Sequence, residues 1–147
     1  MSEGAGFGRD VVVQGSAAAF LQSVEIGGHR ISGDEPASAG GGDQGPSPHE
    51  FLLAALGTCT SMTLSMYARR KQWPLESVRV KLRHRKVSAA DCTDCVSKEG
   101  TVTEIVREIE LVGALDDDQR TRLLDIANKC PVHKTLTSEI KIRSSLA

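Results

Sequence analysis

Aromatic side chains are scarce in this chain of 147 residues: one Trp, one Tyr and three Phe. Its interior must therefore be filled by Leu, Ile, Val, Ala and Met, and the 39% hydrophobic content is enough for one core. An excess of basic charge is also missing, the formal net charge being −1. Binding a polyanion needs a concentrated basic surface, so a nucleic-acid partner is not expected. The short basic runs 69–71 and 83–86 are balanced elsewhere and suit solvated faces. Residues 1–10 carry no positive start followed by an apolar run, so no secretory signal is expected there and a cytoplasmic setting is. In that setting four cysteines point to reduced thiols rather than a disulfide framework. Gly40-Gly41-Gly42 and Gly45 are not followed by Gly-Lys-Ser/Thr, which excludes a phosphate loop of that type.

One long uncharged stretch is present, Phe51 to Ala68. Its length touches the lower limit for a membrane span. Gly57 and five hydroxyl residues (Thr58, Thr60, Ser61, Thr63 and Ser65) lie inside it, which favours a buried helix with no membrane partner. Ser47, Pro48 and Glu50 form a helix start: a cap, a first-turn proline and a capping-box carboxylate. The helix then runs to about Gln72, where Pro74 ends it. At 1.5 Å per residue it spans roughly 36 Å. A compact domain of this size has a radius of gyration of about 15 Å. A helix apolar on every side through its first four turns needs cover on every side. One small sheet cannot supply that, so a second copy of the chain is expected to.

Around this helix the pattern alternates between strand and helix. Val11–Val13, Ala17–Gln22 and Ser23–Ile26 suit short strands, with His29–Ser32 a further candidate of that kind after the Gly27-Gly28 turn. Residues 1–10 are Gly-rich and expected to be flexible, and 34–48 form a long Gly- and Pro-rich loop of the sort that is often functional. In Leu75–Val87, Val78, Val80 and Leu82 alternate with Arg79, Lys81 and Arg83. In Thr101–Val112, Ile105, Ile109 and Leu111 oppose Glu104, Glu108 and Glu110. Both are half-buried antiparallel strands, joined by a polar connection, 88–100. Asp116 and Gln119 make a second capping signature, and an apolar helical stripe follows up to Lys129 until Pro131 breaks it. Ser138–Arg143 alternates as a last strand. The expectation is one α+β domain over residues 1–147.

The chemistry-bearing residues are two cysteines far apart in the chain. Cys59 lies about 11 residues into its helix, too deep for the N-terminal dipole to act on it. Burial alone raises a thiol pKa, so Cys59 is either an inert core residue or a nucleophile with a cation beside it. An arginine suits that role, since it stays charged and can bridge a thiolate and a carboxylate. Glu50 is the natural carboxylate, although folding back as a helix cap would compete with that task. Cys130, in Cys130-Pro131-Val132-His133, is either a buried terminus or a resolving thiol that closes a disulfide with oxidised Cys59. His133 is a surface polar residue, a base or a ligand. Cys92-Thr93-Asp94-Cys95 is a lone Cys-x-x-Cys, either incidental in an exposed loop or a metal or secondary redox site. Cys130 and His133 could complete a four-ligand set with it.

The run Asp34-Glu35-Pro36, the segment from Gly41 through Pro48-His49-Glu50 to Thr58-Cys59, and Cys130-Pro131-Val132-His133 together resemble the OsmC/Ohr family, the osmotically inducible and organic hydroperoxide resistance proteins, over about residues 34–142. The resemblance implies an intertwined homodimer with antiparallel sheets wrapped around central helices. It also implies a thiol peroxidase, acting without a cofactor or metal, that reduces organic hydroperoxides and is recycled by a dithiol reductant. Cys59 then matches the peroxidatic cysteine, Cys130 the resolving one, and Glu50 the carboxylate that orients an activating arginine. Arg30 is the nearest candidate for that arginine and Arg9 a second. The rival expectations are a non-catalytic binder of small apolar or electrophilic molecules, and a zinc protein built on the Cys-x-x-Cys loop.

Overall fold

A computed structural model describes residues 6–147, so part of the segment 1–10 expected to be flexible lies outside the described residues. The chain is α+β, with two antiparallel sheets. It forms two compact units, residues 1–52 and residues 53–147.

The first unit holds a three-stranded meander, β1 (Val11–Gly15), β2 (Gln22–Ile26) and β3 (His29–Gly33), in the order β1-β2-β3. The tight turn between β2 and β3 needs a left-handed residue, and Gly27 supplies it at φ +57°. The strand expected over Ala17–Gln22 is instead a turn as far as Phe20, with β2 starting at Gln22. The Ser16 hydroxyl accepts the Ala18 N–H (3.1 Å), and three successive alanines offer no β-branched side chain to oppose the turn. The 34–47 loop is organised around Asp34, which is buried. Its carboxylate accepts N–H groups from Glu35 (2.8 Å) and Gln44 (3.1 Å), while its own N–H donates to Pro46 O (3.0 Å). Those bonds, Gln44's first and then Glu35's, hold the Asp34 carboxyl below its ordinary range.

Helix α1 (Pro48–Lys71) starts on the capping box expected of it: the Ser47 N–H donates to Glu50 Oε1 (3.0 Å) and the Glu50 N–H to Ser47 Oγ (3.4 Å). Gln72, left-handed at φ +57°, closes its C-terminus ahead of Pro74. Antiparallel β4 (Leu75–Ser88) and β5 (Thr101–Gly113) follow, then α2 (Asp117–Ala127) and α3 (Pro131–Leu136). Asp116 and Gln119 cap α2 reciprocally. The buried positions of α1, namely Leu56, Thr60, Leu64 and Ala68 beside Gly57, recur every four residues and form one stripe. Leu64 and Ala68 join Leu123, Ile126 and Ala127 of α2 in the core, closed by Trp73, Val78, Ile109 and Leu111. Opposite charges face each other across β4 and β5, as in Arg85 with Glu104 (2.7 Å) and Arg83 with Glu108 (3.4 Å).

Two further expectations are corrected. Pro131 does not only break a helix. Lacking an N–H and fixed near helical φ, it opens α3, with Cys130 as its N-cap. The segment Ser138–Arg143 forms no strand, and Ile140 and Ile142 are exposed. Alternation gives a segment two faces, but a strand also needs a neighbour for its N–H and C=O groups, and among the described residues none pairs with it.

Leu123 is fully buried whereas its neighbour Leu124 is 57% exposed. Leu123→Ala should therefore cost about 2–5 kcal/mol of unfolding free energy. Leu124→Ala should stay within about 0.5 kcal/mol. Urea titrations of the two variants check this, and equal losses would contradict the packing described.

Candidate active site

The site forms where three backbone segments of the second unit meet. Thr60 lies on the buried stripe of α1, one residue after Cys59. Cys130 precedes α3 and is fully buried, while Cys59 is partly exposed. Because Pro131 has no N–H, the first free donors of α3 belong to Val132 and His133. The Val132 N–H donates to Cys59 Sγ (3.4 Å) and the His133 N–H to Cys130 Sγ (3.3 Å). The two sulfurs lie within hydrogen-bonding reach of each other, with Thr60 Oγ1 3.8 Å from that of Cys130.

The cation beside them is Arg107, in the middle of β5. Its Nη1 donates to Thr60 Oγ1 (2.9 Å) and to the Ala127 carbonyl (3.3 Å), where α2 ends. Its Nη2 donates to Asn128 Oδ1 (2.8 Å) and lies 3.4 Å from His133 Nδ1. Among the described residues no carboxylate is ion-paired with it. Burial pushes the Cys130 thiol up, but hydrogen bonds from the His133 N–H, Cys59 and Thr60, together with the Arg107 charge, outweigh it and leave the thiol below its ordinary value. Burial and then the Arg107 charge also hold His133 below its ordinary value, so its ring is neutral at neutral pH. A guanidinium only donates, so Nδ1 of that ring accepts and Nε2 carries the hydrogen. Thr60 has one proton and gives it to Leu56 O (2.7 Å), so a protonated Cys130 donates to Thr60. An ionised Cys130 instead draws that proton from Leu56.

Arg107 was not among the sequence candidates, although its signal is there. Counting along β5 places it between Ile105 and Ile109 on the apolar face, opposite Leu82 of β4. A charge in that register needs a partner. Of the sequence candidates in the first unit, Arg30 faces Glu25 across β3 and β2 (3.7 Å), largely in solvent, and Arg9 lies over the Gly27 turn. Glu50 occupies its capping box, whose Ser47 N–H and hydroxyl hold its carboxyl below the ordinary range. On the other side of Arg107 opens a cavity of about 460 Å³, walled by Leu56, Ile105, Ile109, Leu124 and Leu136 with Asn128 and His133 at its polar edge. Cys92 and Cys95 are joined by a disulfide, against the reduced thiols expected. Three residues apart in a turn, their Cα atoms are 5.4 Å from each other, within disulfide range. Cys130 and His133 do not join them in a ligand set.

The family of OsmC-like proteins matches residues 40–145, a span that holds both cysteines of the site. The chain belongs to the OsmC-like family. Solved structures agree on the fold. An organic hydroperoxide resistance protein OsmC from Legionella pneumophila superposes with a TM-score of 0.67 at 16% identity, covering 91% of this chain and 92% of that one. The OsmC-like protein of Mycoplasma pneumoniae gives 0.65 at 19% identity, covering 88% and 87%. An organic hydroperoxide resistance protein from Elizabethkingia anophelis, with thiocyanate bound, gives 0.65 at 14% identity, covering 92% and 91%. No curated protein matches the sequence. At these identities the structural likeness fixes the fold and leaves the chemistry to the site.

Removing the guanidinium takes a positive charge from beside Cys130 and so raises its pKa. In Arg107→Met the pH midpoint for Cys59–Cys130 disulfide closure should move upward. Peptide mapping of thiols against pH measures it, and an unmoved midpoint would remove Arg107 from the site's electrostatics.

Proposed function

We propose that this OsmC-like protein is a thiol peroxidase that reduces organic hydroperoxides to alcohols through a Cys59–Cys130 disulfide cycle. The carrying observation is the convergence of the two sulfurs under the α3 N–H groups and the Arg107 guanidinium, beside an apolar cavity. Exposure orders the roles. Peroxide meets the partly exposed Cys59 first, and the buried Cys130 is held back to resolve.

In the first step the Cys59 thiolate attacks one peroxide oxygen and the O–O bond breaks. Cys59 becomes a sulfenic acid, and the alkoxide takes a proton and leaves as alcohol. In the second step the Cys130 thiolate attacks the sulfenic sulfur. The disulfide forms and hydroxide leaves as water. A cellular dithiol then returns two electrons. Arg107 serves the second step, since its field favours an ionised Cys130. The first step is assigned to an arginine oriented by Glu50, as the family resemblance implies, with Arg30 the nearest candidate. Glu50 must leave its cap for that, a loss of about 1 kcal/mol. The apolar walls favour a hydrocarbon hydroperoxide over hydrogen peroxide.

The uncovered side of α1 belongs to this reading. Met62 and Met66 are 68% and 45% exposed, on a helix long and apolar enough by length and composition to cross a membrane. We assign that side to a second copy of the chain, in the cytoplasm. Light scattering at micromolar concentration should give a dimer mass, and a monomer would defeat the assignment.

Cys59→Ser should abolish hydroperoxide consumption, while Cys130→Ser should permit one turnover and then over-oxidise at Cys59. Full activity in Cys59→Ser would end the proposal. Glu50→Gln separates the two tasks of that residue, because glutamine keeps a capping box but not the charge. Slower sulfenate formation at unchanged stability supports the orienting role, and an unchanged rate leaves Glu50 as a cap alone. Arg30→Ala should slow the same step and leave disulfide closure intact.

A further inference from the structure

The connection between β4 and β5 carries a second cluster of sulfur and oxygen that the thiol cycle does not use. Cys92 and Cys95 are bonded to each other, and Asp94 Oδ1 lies 3.3 Å from Cys92 Sγ. The two sulfurs and an Asp94 carboxylate oxygen all lie within 4.8 Å of one another. Asp91 and Glu104 line the adjoining cavity of about 420 Å³, with Glu104 paired to Arg85. The Lys98 ammonium is held by the Cys95 carbonyl (3.1 Å). β5 starts at Thr101, six residues before Arg107 and roughly 20 Å from it at 3.3 Å per residue, and the loop lies beyond that end, so this is a separate centre.

A disulfide between residues three apart, in an exposed loop, joins no distant elements. It closes a very short ring and constrains the unfolded chain less than a long loop would. Structural stapling is therefore a weak account of it. The donor set that the reduced pair would offer is a stronger one. Two thiolates and a carboxylate within a few ångströms match the donor preference of zinc, which takes sulfur and oxygen ligands and completes a tetrahedron with water.

We propose that the 92–95 loop is a redox-controlled zinc site: its reduced form holds one Zn²⁺ through Cys92, Cys95 and Asp94, and its oxidised form is the metal-free disulfide. A dithiol reductant breaks the S–S bond by supplying two electrons and is itself oxidised to a disulfide. Zinc then displaces the two thiol protons. In the opposite direction one hydroperoxide takes two electrons from the two zinc-bound thiolates. With two protons it becomes alcohol and water, the Cys92–Cys95 bond forms, and Zn²⁺ is released. The reduced site does not rest on the peroxidase reading, because Cys59 and Cys130 take no part in it.

The test uses the full chain, reduced with a phosphine, desalted and titrated with Zn²⁺ against a chromogenic chelator. Co²⁺ serves as the spectroscopic substitute. The wild type and Cys59→Ser should each bind one zinc per chain, and the cobalt form should show thiolate-to-metal charge transfer. Cys92→Ser and Cys95→Ser should lose that band and the zinc, and Asp94→Asn should bind about tenfold more weakly. Adding cumene hydroperoxide to the zinc-loaded Cys59→Ser protein should release the metal and restore the disulfide, which separates this centre from the peroxidase cycle. The proposal is overturned if the reduced wild type takes up no zinc, or if zinc persists in the Cys92→Ser/Cys95→Ser double variant. Undiminished affinity in Asp94→Asn would overturn the three-ligand assignment. Comparing reduced with oxidised wild type needs no variant, so a misfolded mutant cannot mask the result.

Discussion

One guanidinium on the apolar face of a strand sets the constraint that organises this site. Arg107 stands between Ile105 and Ile109, where the register of β5 directs side chains toward the core. A charge there must be hydrogen-bonded, because unpaired burial is expensive. The structure meets that demand with four acceptors from three segments: Thr60 of α1, the Ala127 carbonyl and Asn128 at the end of α2, and His133 of α3. None of these acceptors carries a formal negative charge. Arg107 is thus well bonded yet not neutralised, and its field is left to the sulfurs. The same bond fixes the tautomer of His133. The one residue therefore ties the end of α2 and the Cys130 turn to α1 and sets the electrostatics where they meet.

The local geometry of α3 divides the labour between the two thiols. A proline at its first position leaves no N–H there, so the next two N–H groups face outward toward sulfur. Cys130 takes the place that serine or aspartate usually fills at a helix start, and its sulfur accepts the bond those oxygens would accept. This cap keeps the sulfur in place and out of solvent, while Cys59, in mid-helix, keeps partial access. In the proposed cycle accessibility decides which sulfur meets a substrate first, and the acidity of Cys130 decides how readily the second step follows.

Much of this was legible in the sequence, where local chemistry decides the outcome. The Ser47, Pro48 and Glu50 start of α1, its stop before Pro74, the alternation of β4 and β5 and the Asp116–Gln119 cap all rest on neighbours within a few residues. What escaped rests on distant contacts or on residues with two readings. Arg107 sits in the apolar register, but faces were assigned from the hydrophobic and acidic residues around it. Pro131 ends one helix and begins another, and the composition around it shows only the ending. The turn at 16–20 depends on one serine hydroxyl. Asp34 gathers a loop whose glycines and prolines show only that it is not regular. The Cys92–Cys95 bond depends on the turn that folds the loop, which spacing alone does not reveal.

Helix α1 sets the remaining demand on the fold. An amphipathic helix shows one apolar face, but this one is apolar nearly all round and is covered along a single stripe. Lipid could cover the remainder by length alone. The hydroxyls of Thr58, Thr63 and Ser65 and the small side chain of Ala54 argue for protein instead, because small and hydroxylated surfaces let a second backbone approach closely. They also interrupt what would have to be a continuous greasy band against lipid. The buried stripe, in turn, already gives Thr60 to Arg107 and Leu64 to the core. Moving the helix into a bilayer would break both. Holding the thiols in place and leaving the helix half covered are therefore one requirement, and the cover we propose for the other half is a second copy of the same chain.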